Sequence, residues 1–418
     1  MTTINSRPGQ TLVTIARAAW DQLKSAGLNE AQVSRWFAVP LVSDVRWVAP
    51  PADRPRRGLG AAIALWVAGE RLPRASLALL SDEQLLGLGQ LGLLGRETRD
   101  GDQVWAQVRV LPAGGLLLAS DRDGGSTAVG APDLSAYNLH GSLPPSLHGK
   151  RTLDVGCGAG ILALGCARVG ADAVGGDVDA RALAFAQLNA QLNGLSARFV
   201  EADLFAGLDG TYDFVTFNAP LLRAPMATGE GDAPPLYVQS PRGAELALAF
   251  AAELLAHRAP DGEALLHAQL TPALQAALTG LATRAAVLSL RFASAPDGTP
   301  HALTSIRRAL PPERRELAVP LGPLCPHLRR ELFDAYHAPR ALGPDATPLP
   351  APWLELRTTR QLGGSYRAIR FGAIAIDDED VKLLERLTGA PRSALGALEA
   401  GEEDRLARLV ELGLVIVR

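Results

Sequence analysis

Four short stretches between Asp154 and Leu221 carry residues whose types and spacing can do chemistry. The first is Leu153-Asp154-Val155-Gly156-Cys157-Gly158-Ala159-Gly160. Two apolar strand residues flank an acid, and then glycine stands at every second position, where the backbone must turn tightly and leave room for a ligand. Ile161 to Val169 follow with apolar side chains at helical spacing. A strand, a glycine turn and a helix together make the mouth of a nucleotide-type site at the carboxyl end of a parallel strand. The second stretch is Val174-Gly175-Gly176-Asp177-Val178-Asp179. Asp177 lies 21 residues beyond Gly156, where a carboxylate can accept hydrogen bonds from both hydroxyls of a ribose. In the third, Glu201-Ala202-Asp203-Leu204-Phe205, Asp203 can accept from an exocyclic adenine amine while the Leu204 amide pairs with a ring nitrogen. The fourth, Asn218-Ala219-Pro220-Leu221, offers a hydrogen-bonding amide. The glycine spacing G-x-G-x-G differs from the G-x-G-x-x-G expected for a pyrophosphate, so a ligand with an amino-acid tail suits this turn better.

These residues need strands to carry them. From 151 to about 308, strands and helices alternate, the pattern of a parallel sheet covered on both faces. Strands are expected at 151–155, 172–176, 197–200, 213–217 and 263–268. A last pair, 285–293 and 302–307, is spaced as a closing antiparallel hairpin. The loop-rich lead-in, 121–150, contains Tyr137, Asn138 and His140 and serves either as a cover for the ligand or as a connector.

The flanks read differently. Residues 9–92 look helical, with Asn29 and Ser81 placed as N-caps; after Leu94, Gln103 to Leu111 alternates and turns at Pro112-Ala113-Gly114-Gly115 into Leu116 to Ala119. Helices followed by a hairpin suggest a winged-helix-like unit over 1–110. It would serve as a packing, lid or dimer module rather than a nucleic-acid binder, because Arg99-Asp100-Gly101-Asp102 is not basic. Beyond Leu310, Pro311-Pro312 and Pro344 to Pro352 mark a linker or irregular lead-in. A small α+β domain, also winged-helix-like, is expected within 309–418. It would have strands at 353–358, 366–376 and 414–418 and helices at 378–387, 392–398 and 402–412. Its acidic stretches, 377–380 and 399–404, argue for protein contacts.

A chain of 418 residues predicts two or three domains, and 47% hydrophobic with 20% charged residues is enough for real cores. The formal charge of −3 leaves no strong nucleic-acid footprint on the whole chain. No apolar run reaches the roughly 18 residues a membrane span needs. Residues 1–5 lack the basic and apolar regions of a signal peptide. Cys157, Cys166 and Cys325 have neither disulfide nor zinc spacing, so a reducing cytoplasm and no metal are expected. Arginine outnumbers lysine heavily (only Lys24, Lys150 and Lys382), which is read as a high-GC bacterial coding bias.

Over residues 111–308 the sequence resembles the class I S-adenosylmethionine-dependent methyltransferases. The group it resembles most is the methyltransferase small domain, with its release-factor glutamine and ribosomal-RNA guanine methyltransferases. The stretches that carry the resemblance are 153–160, 177–190 and Tyr212-Asp213-Phe214-Val215-Thr216-Phe217-Asn218-Ala219-Pro220. The resemblance implies a Rossmann-like, seven-stranded α/β core. It further implies that Asp154, Gly156, Cys157, Gly158 and Gly160 hold the methionine end of the cofactor, Asp177 the ribose, and Asp203 and Leu204 the adenine, with Val178 and Asn218 also cofactor-binding. Asn218, Pro220 and Leu221 would then face the reaction. Amino-methylating members carry Asn-Pro-Pro followed by Tyr or Phe, where the ring stacks on a planar acceptor. Here Leu221 has no ring, and stacking is worth ~1–3 kcal/mol per base.

A sulfonium methyl is already activated, so the protein mainly aligns an O, N or C nucleophile behind it. A general base is needed only if the acceptor must lose a proton, with His267 and Tyr137 as candidates. Three functional readings follow: methylation of a small molecule such as a natural-product intermediate, methylation of a protein amide or RNA base, and a non-catalytic, cofactor-binding regulator. The partners expected are a small-molecule substrate and a protein or second copy on the terminal domains. Nucleic acid is disfavoured and no membrane is involved.

Overall fold

The computed structural model describes residues 4–5, 8–98, 101–122, 128–220, 243–294, 299–308, 313–318, 330, 333–334, 348–350, 357–361, 364–369, 372–374, 378–387, 401–411 and 415–417. At its centre is an eight-stranded sheet. Its strands are β1 (Arg151–Val155), β2 (Asp172–Asp177), β3 (Arg198–Glu201), β4 (Tyr212–Asn218), β5 (Arg258–Gln269), β6 (Ala286–Ser294), β7 (Pro300–Arg307) and β8 (Glu313–Ala318). Across the sheet they lie β3-β2-β1-β4-β5-β7-β6-β8. The first five run parallel, and β7 runs antiparallel between β5 and β6. The order reverses between β1 and β4, and at that switch point the carboxyl ends of the strands open a crevice for a ligand.

All seven strands expected from the sequence are present. The eighth is a finding, because Glu313–Ala318 pairs with β6 in parallel where Pro311-Pro312 had suggested a linker. Glu313-Arg314-Arg315-Glu316 lacks the apolar alternation that marks a half-buried strand, and charged residues are what an edge strand uses to discourage further pairing.

The helices before and between these strands are α1 (Leu134–Gly141), α2 (Ile161–Arg168), α3 (Ala180–Asn193), α4 (Gly243–His257) and α5 (Pro272–Leu281). On one face, Phe217, Phe250, Leu254, Leu274 and Leu278 pack α4 and α5 onto the sheet. On the other, Leu162, Leu164, Phe185, Leu188, Leu265 and Leu303 belong to a core that runs on without a break to Trp20 and Trp66. With both faces covered, β1 and β4 are buried along most of their length, the polar Thr152, Asp154 and Thr216 included.

The N-terminal helices form where their caps predict. Asn29 accepts from Gln32 N ahead of Glu30–Phe37, and Ser81 and Gln84 make a reciprocal capping box ahead of Asp82–Gln90. The hairpin differs from expectation. The alternating run stops at Ala106, and Gln103–Ala106 pairs with Leu94–Glu97 and Leu72–Pro73 in a three-stranded antiparallel sheet. Gln107 N turns aside to Leu93 O (2.9 Å). Val108–Ala113 then pairs with Leu116–Asp121 in a separate two-stranded sheet, turning on Gly114 and Gly115 at φ of +55° and +77°. A boundary at 110/111 therefore falls inside a strand.

Hairpin 108–121 is fastened to the core by asparagines one helical turn apart on α3. Asn189, with no exposed surface, donates to Ala119 O (2.9 Å) and to Ala159 O in the glycine loop (2.9 Å), and accepts from Ala119 N (2.8 Å). Asn193 brackets Leu117 in the same way. On the outer side, Trp20 Nε1 donates to Leu117 O (3.1 Å). Asn189→Ala leaves three buried backbone groups unmet, at ~1–3 kcal/mol each when none finds water. The expected outcome is a loss of about 3 kcal/mol or more, read as a lower urea midpoint, with Trp20 fluorescence reporting release of the hairpin.

Beyond 308 the described residues include an antiparallel sheet of Arg357–Gln361, Gly364–Ile369 and Gly372–Ile374. They also include helices Asp378–Arg386 and Glu402–Glu411 and a pairing of Pro348–Pro350 with Val415–Val417. The helix expected at 392–398 lies outside the described residues. The acidic stretch near 380 is a correction. Asp380 has no exposed surface and is held by Arg405 (3.0 Å) and Arg408, so this acid ties two helices together instead of facing a partner. Arg330 and Asp334 join Glu263 of β5 and Arg307 of β7 in a cluster of ion pairs, and Phe333 between them in the chain is fully buried. With β8, these residues carry the central unit past the expected end at 308.

Candidate active site

Asp154 projects from β1 to the same face as Thr216 of β4 and is 2% exposed. Its carboxyl accepts from Thr216 Oγ1 (2.9 Å) and from Ala163 N in the first turn of α2 (3.2 Å). Burial outweighs those two hydrogen bonds and pushes its pKa up to about 7. The backbone after Asp154 then leaves the sheet. At Gly158, φ is +53° and nothing lies within 4 Å of where a Cβ would project, so a bare backbone borders open space there. At Gly160, φ is +91° and a Cβ would press on Ala186 of α3 at 3.1 Å. Cys157 N donates to Gly176 O (2.9 Å), which lays the loop across the end of β2. Burial raises the Cys157 thiol well above its usual range, so it contributes bulk and a backbone amide, not a thiolate.

Asp177 pins that loop. Its Oδ2 accepts from Gly158 N (2.8 Å) and its Oδ1 from Asp179 N (2.9 Å). Burial raises its pKa against these bonds. Each oxygen keeps a lone pair for a further donor. Val178 next to it is 64% exposed, one of the few large apolar side chains left open to solvent, and suits the face of a flat ligand. Asp179 caps α3 through Arg181 N (2.8 Å). Arg181 Nε in turn holds Asp121 Oδ2 of the hairpin (2.9 Å).

At the end of β3, Ala202 N donates to Asp177 O (3.1 Å) and Ala206 N to Asp203 O (2.9 Å). The turn places Leu204 at φ +51°, a left-handed conformation a leucine adopts only when its surroundings impose it. The Asp203 side chain is exposed. Three consecutive strand ends thus supply a backbone cradle, a carboxylate and a second carboxylate beside a strained amide, a set that can hold an amino-acid tail, a ribose and an adenine.

Asn218 ends β4 half-buried, with its Oδ1 2.8 Å from His267 Nδ1 on the neighbouring β5. His267 is 1% exposed and packs its ring on Phe292 (centroids 5.5 Å) and edge-on to His301 (6.1 Å). Ala219 N donates to His267 O (3.0 Å), carrying the β4–β5 ladder one residue further. A proline at 219 has no N–H and would end the ladder at Asn218. Pro220 O sits where a Cβ on Gly243 would be, at 2.0 Å, so α4 starts tight against the Asn218–Pro220 turn. Gly243→Ala therefore has to displace backbone, and overpacking of this kind costs ~1–3 kcal/mol. The expected outcome is a lower Tm, read by differential scanning calorimetry. Leu221 lies outside the described residues.

The site residues do not all converge. Gly158 is hydrogen-bonded to Asp177, Asp154 bonds instead to Thr216 and Ala163, and Asn218 meets His267. Tyr137, by contrast, donates its hydroxyl to Pro112 O (2.7 Å) in the hairpin, a structural clasp that commits the proton it would need as an acid or base. The sequence reading did not single out Thr216 or Asn189. Thr216 stands two residues before Asn218, and strand periodicity alone puts it on the same face.

Among the described residues, no group of three or more His, Cys, Asp or Glu side chains could hold a metal ion, and no helix is long and apolar enough to cross a membrane.

Comparison with known proteins bears on this geometry. Residues 128–230 match the methyltransferase small domain family. The chain is 35% identical over 162 residues to the release factor glutamine methyltransferase of Deinococcus radiodurans (37% of this chain, 57% of that one). It is 44% identical over 82 residues to the ubiquinone biosynthesis O-methyltransferase of Pectobacterium atrosepticum (19% and 34%). Against the structure of the T. thermophilus 16S rRNA N2 G1207 methyltransferase, identity is 19%, coverage 60% of this chain and 67% of that one, and the TM-score 0.35. The match spans a third to a little over half of the length of the two curated relatives. The central sheet is Rossmann-like in its strand order, and its first four strands lie within the stretch, residues 128–230, that is similar to the methyltransferase small domain.

Proposed function

We propose that this chain transfers the methyl group of S-adenosylmethionine to a small-molecule acceptor, such as a natural-product intermediate. In this reading the loop from Asp154 through Gly156, Cys157, Gly158 and Gly160 receives the methionine tail. Asp177 accepts from the ribose hydroxyls beside Val178, and Asp203 with the Leu204 amide takes the adenine. Asn218, Pro220 and Leu221 border the acceptor. The cofactor supplies a methyl on a positively charged sulfur, so the chain's own task is to orient a nucleophile and exclude water.

The observation that carries the small-molecule reading is Ala219. Its amide is spent on His267 O, so the turn after Asn218 is held as an extension of the sheet rather than released by a second proline. It leads to Leu221, which has no ring for a base or planar amide to stack on. Calorimetry of the full chain with S-adenosylhomocysteine tests the cofactor half. The acceptor half is tested by incubating the chain and labelled S-adenosylmethionine with bacterial extract, then separating the products by size. Label in the small-molecule fraction is expected.

A second reading, a macromolecular acceptor, draws on the 35% identity to a release factor glutamine methyltransferase. Label retained with protein or ribosomes would establish it in place of the first.

A further inference from the structure

We infer that Asn218 is set by His267 to recognise an oxygen nucleophile, so that the acceptor is a phenolate, enolate or carboxylate and the product an ether or ester. The inference rests on the methyltransferase reading above.

The contact between the two residues joins Asn218 Oδ1 to His267 Nδ1 at 2.8 Å. An amide oxygen accepts and never donates, so Nδ1 carries the proton. The two backbones are also fixed in register: Asn218 stands opposite His267 in the parallel ladder, and Ala219 N donates to His267 O (3.0 Å). The imidazole is buried against Phe292 and His301. Amide orientation and ring tautomer go together: Oδ1 toward the ring pairs with the Nδ1–H form, whereas an Nε2–H ring would accept at Nδ1 from a turned amide.

The consequence lies on the other side of the amide. With Oδ1 committed to the imidazole, Asn218 offers the acceptor its Nδ2 group, two N–H donors that have no partner among the described residues. Donors at that place stabilise an atom rich in lone pairs. An amine or amide nitrogen would present its own N–H, donor against donor. With an ionised oxygen the step balances without a proton transfer: a lone pair forms the O–CH3 bond, the C–S bond breaks, and its electron pair remains on sulfur as a neutral thioether. His267 is thereby a positioning residue and not a general base.

The test uses the full chain labelled with 15N-histidine and saturated with S-adenosylhomocysteine. Long-range 1H–15N spectra should show His267 as the Nδ1–H tautomer, and an Nε2–H tautomer overturns the proposal. The unlabelled chain is then given S-adenosylmethionine and paired acceptors, catechol with o-phenylenediamine and benzoate with benzamide. Mass spectrometry should find the methyl on oxygen, whereas transfer to nitrogen overturns the proposal. Where neither member of a pair is turned over, the tautomer decides. His267→Phe should lower kcat by ~10²-fold through misplacement of Asn218 without changing S-adenosylhomocysteine affinity. His267→Gln, which restores an N–H donor, should recover most of the rate; if it recovers none, the orienting role is wrong. Calorimetry on the same samples separates a chain without cofactor affinity, which would sink the methyltransferase reading, from one that binds cofactor and methylates nitrogen.

Discussion

Asp177→Ala is expected to lower the affinity for S-adenosylhomocysteine by about 100-fold or more in calorimetry on the full chain. The carboxylate does two things at once. It accepts from Gly158 N at 2.8 Å and from Asp179 N at 2.9 Å, fixing the glycine loop against the start of α3, and it keeps lone pairs for further donors, which in the proposed function are two ribose hydroxyls. Hydrogen bonds to a charged group are worth ~1.5–3 kcal/mol each, and ~3 kcal/mol is about two decades of affinity. Losing the ribose bonds alone accounts for that much. Losing the pin on Gly158 adds the cost of ordering the loop when ligand binds. Amide exchange separates the two effects, since Gly158 and Asp179 should exchange faster in the variant even without ligand. Asp177→Asn should fall between, because its NH2 cannot accept from one of the two backbone donors. Undiminished affinity in the alanine variant would remove Asp177 from the ribose site.

The second large effect concerns pH. Asp154 has its folded pKa raised to about 7 by burial, from an unfolded value near 3.9. The folded state therefore holds a proton that the unfolded state gives up between those values. Where the folded state binds more protons, stability falls as pH rises. This contribution is fully present below pH 4, is lost progressively from about pH 4 to pH 7, and is flat above. A carboxyl held at about 7 amounts to roughly 4 kcal/mol across that window. Asp154→Asn removes the titration. Its single oxygen can take Thr216 Oγ1 or Ala163 N but not both, so the variant should be about 1 kcal/mol less stable at pH 4. At pH 8 it should be the more stable protein. Urea midpoints for both chains at pH 4, 6 and 8 check the crossing, and parallel pH curves would rule out the buried carboxyl as the cause.

The strands and turns that carry the candidate site were largely legible in the sequence, for a physical reason. A parallel strand buried on both faces must be an apolar run, and its exit toward a ligand must turn on residues without a Cβ. Leu153 to Gly160 and Val174 to Asp177 therefore announce themselves by residue type. The same holds for Asn29 and Ser81, whose capping bonds are local. Where the reading failed, local signals were silent or ambiguous. Glu313–Ala318 is a strand only because β6 presents an open edge, and its charged residues carry no strand period. Gln103 to Leu111 reads as one alternating run, yet it divides at Gln107 because its two halves pair with different partners.

The sequence by itself determined the α/β core, the glycine cradle, the acids at the strand ends and the altered Asn-Ala-Pro turn, because each depends on neighbours within a few residues. Tertiary structure alone decided what those groups can do. It buried Asp154 and so raised its carboxyl toward neutrality, spent the Tyr137 hydroxyl on Pro112, and used Asn189 to join hairpin and glycine loop. It also brought His267 from a strand 49 residues away in the chain to fix the amide of Asn218. Burial and hydrogen-bond direction are set by what the sheet places side by side, and no spacing along the chain encodes them.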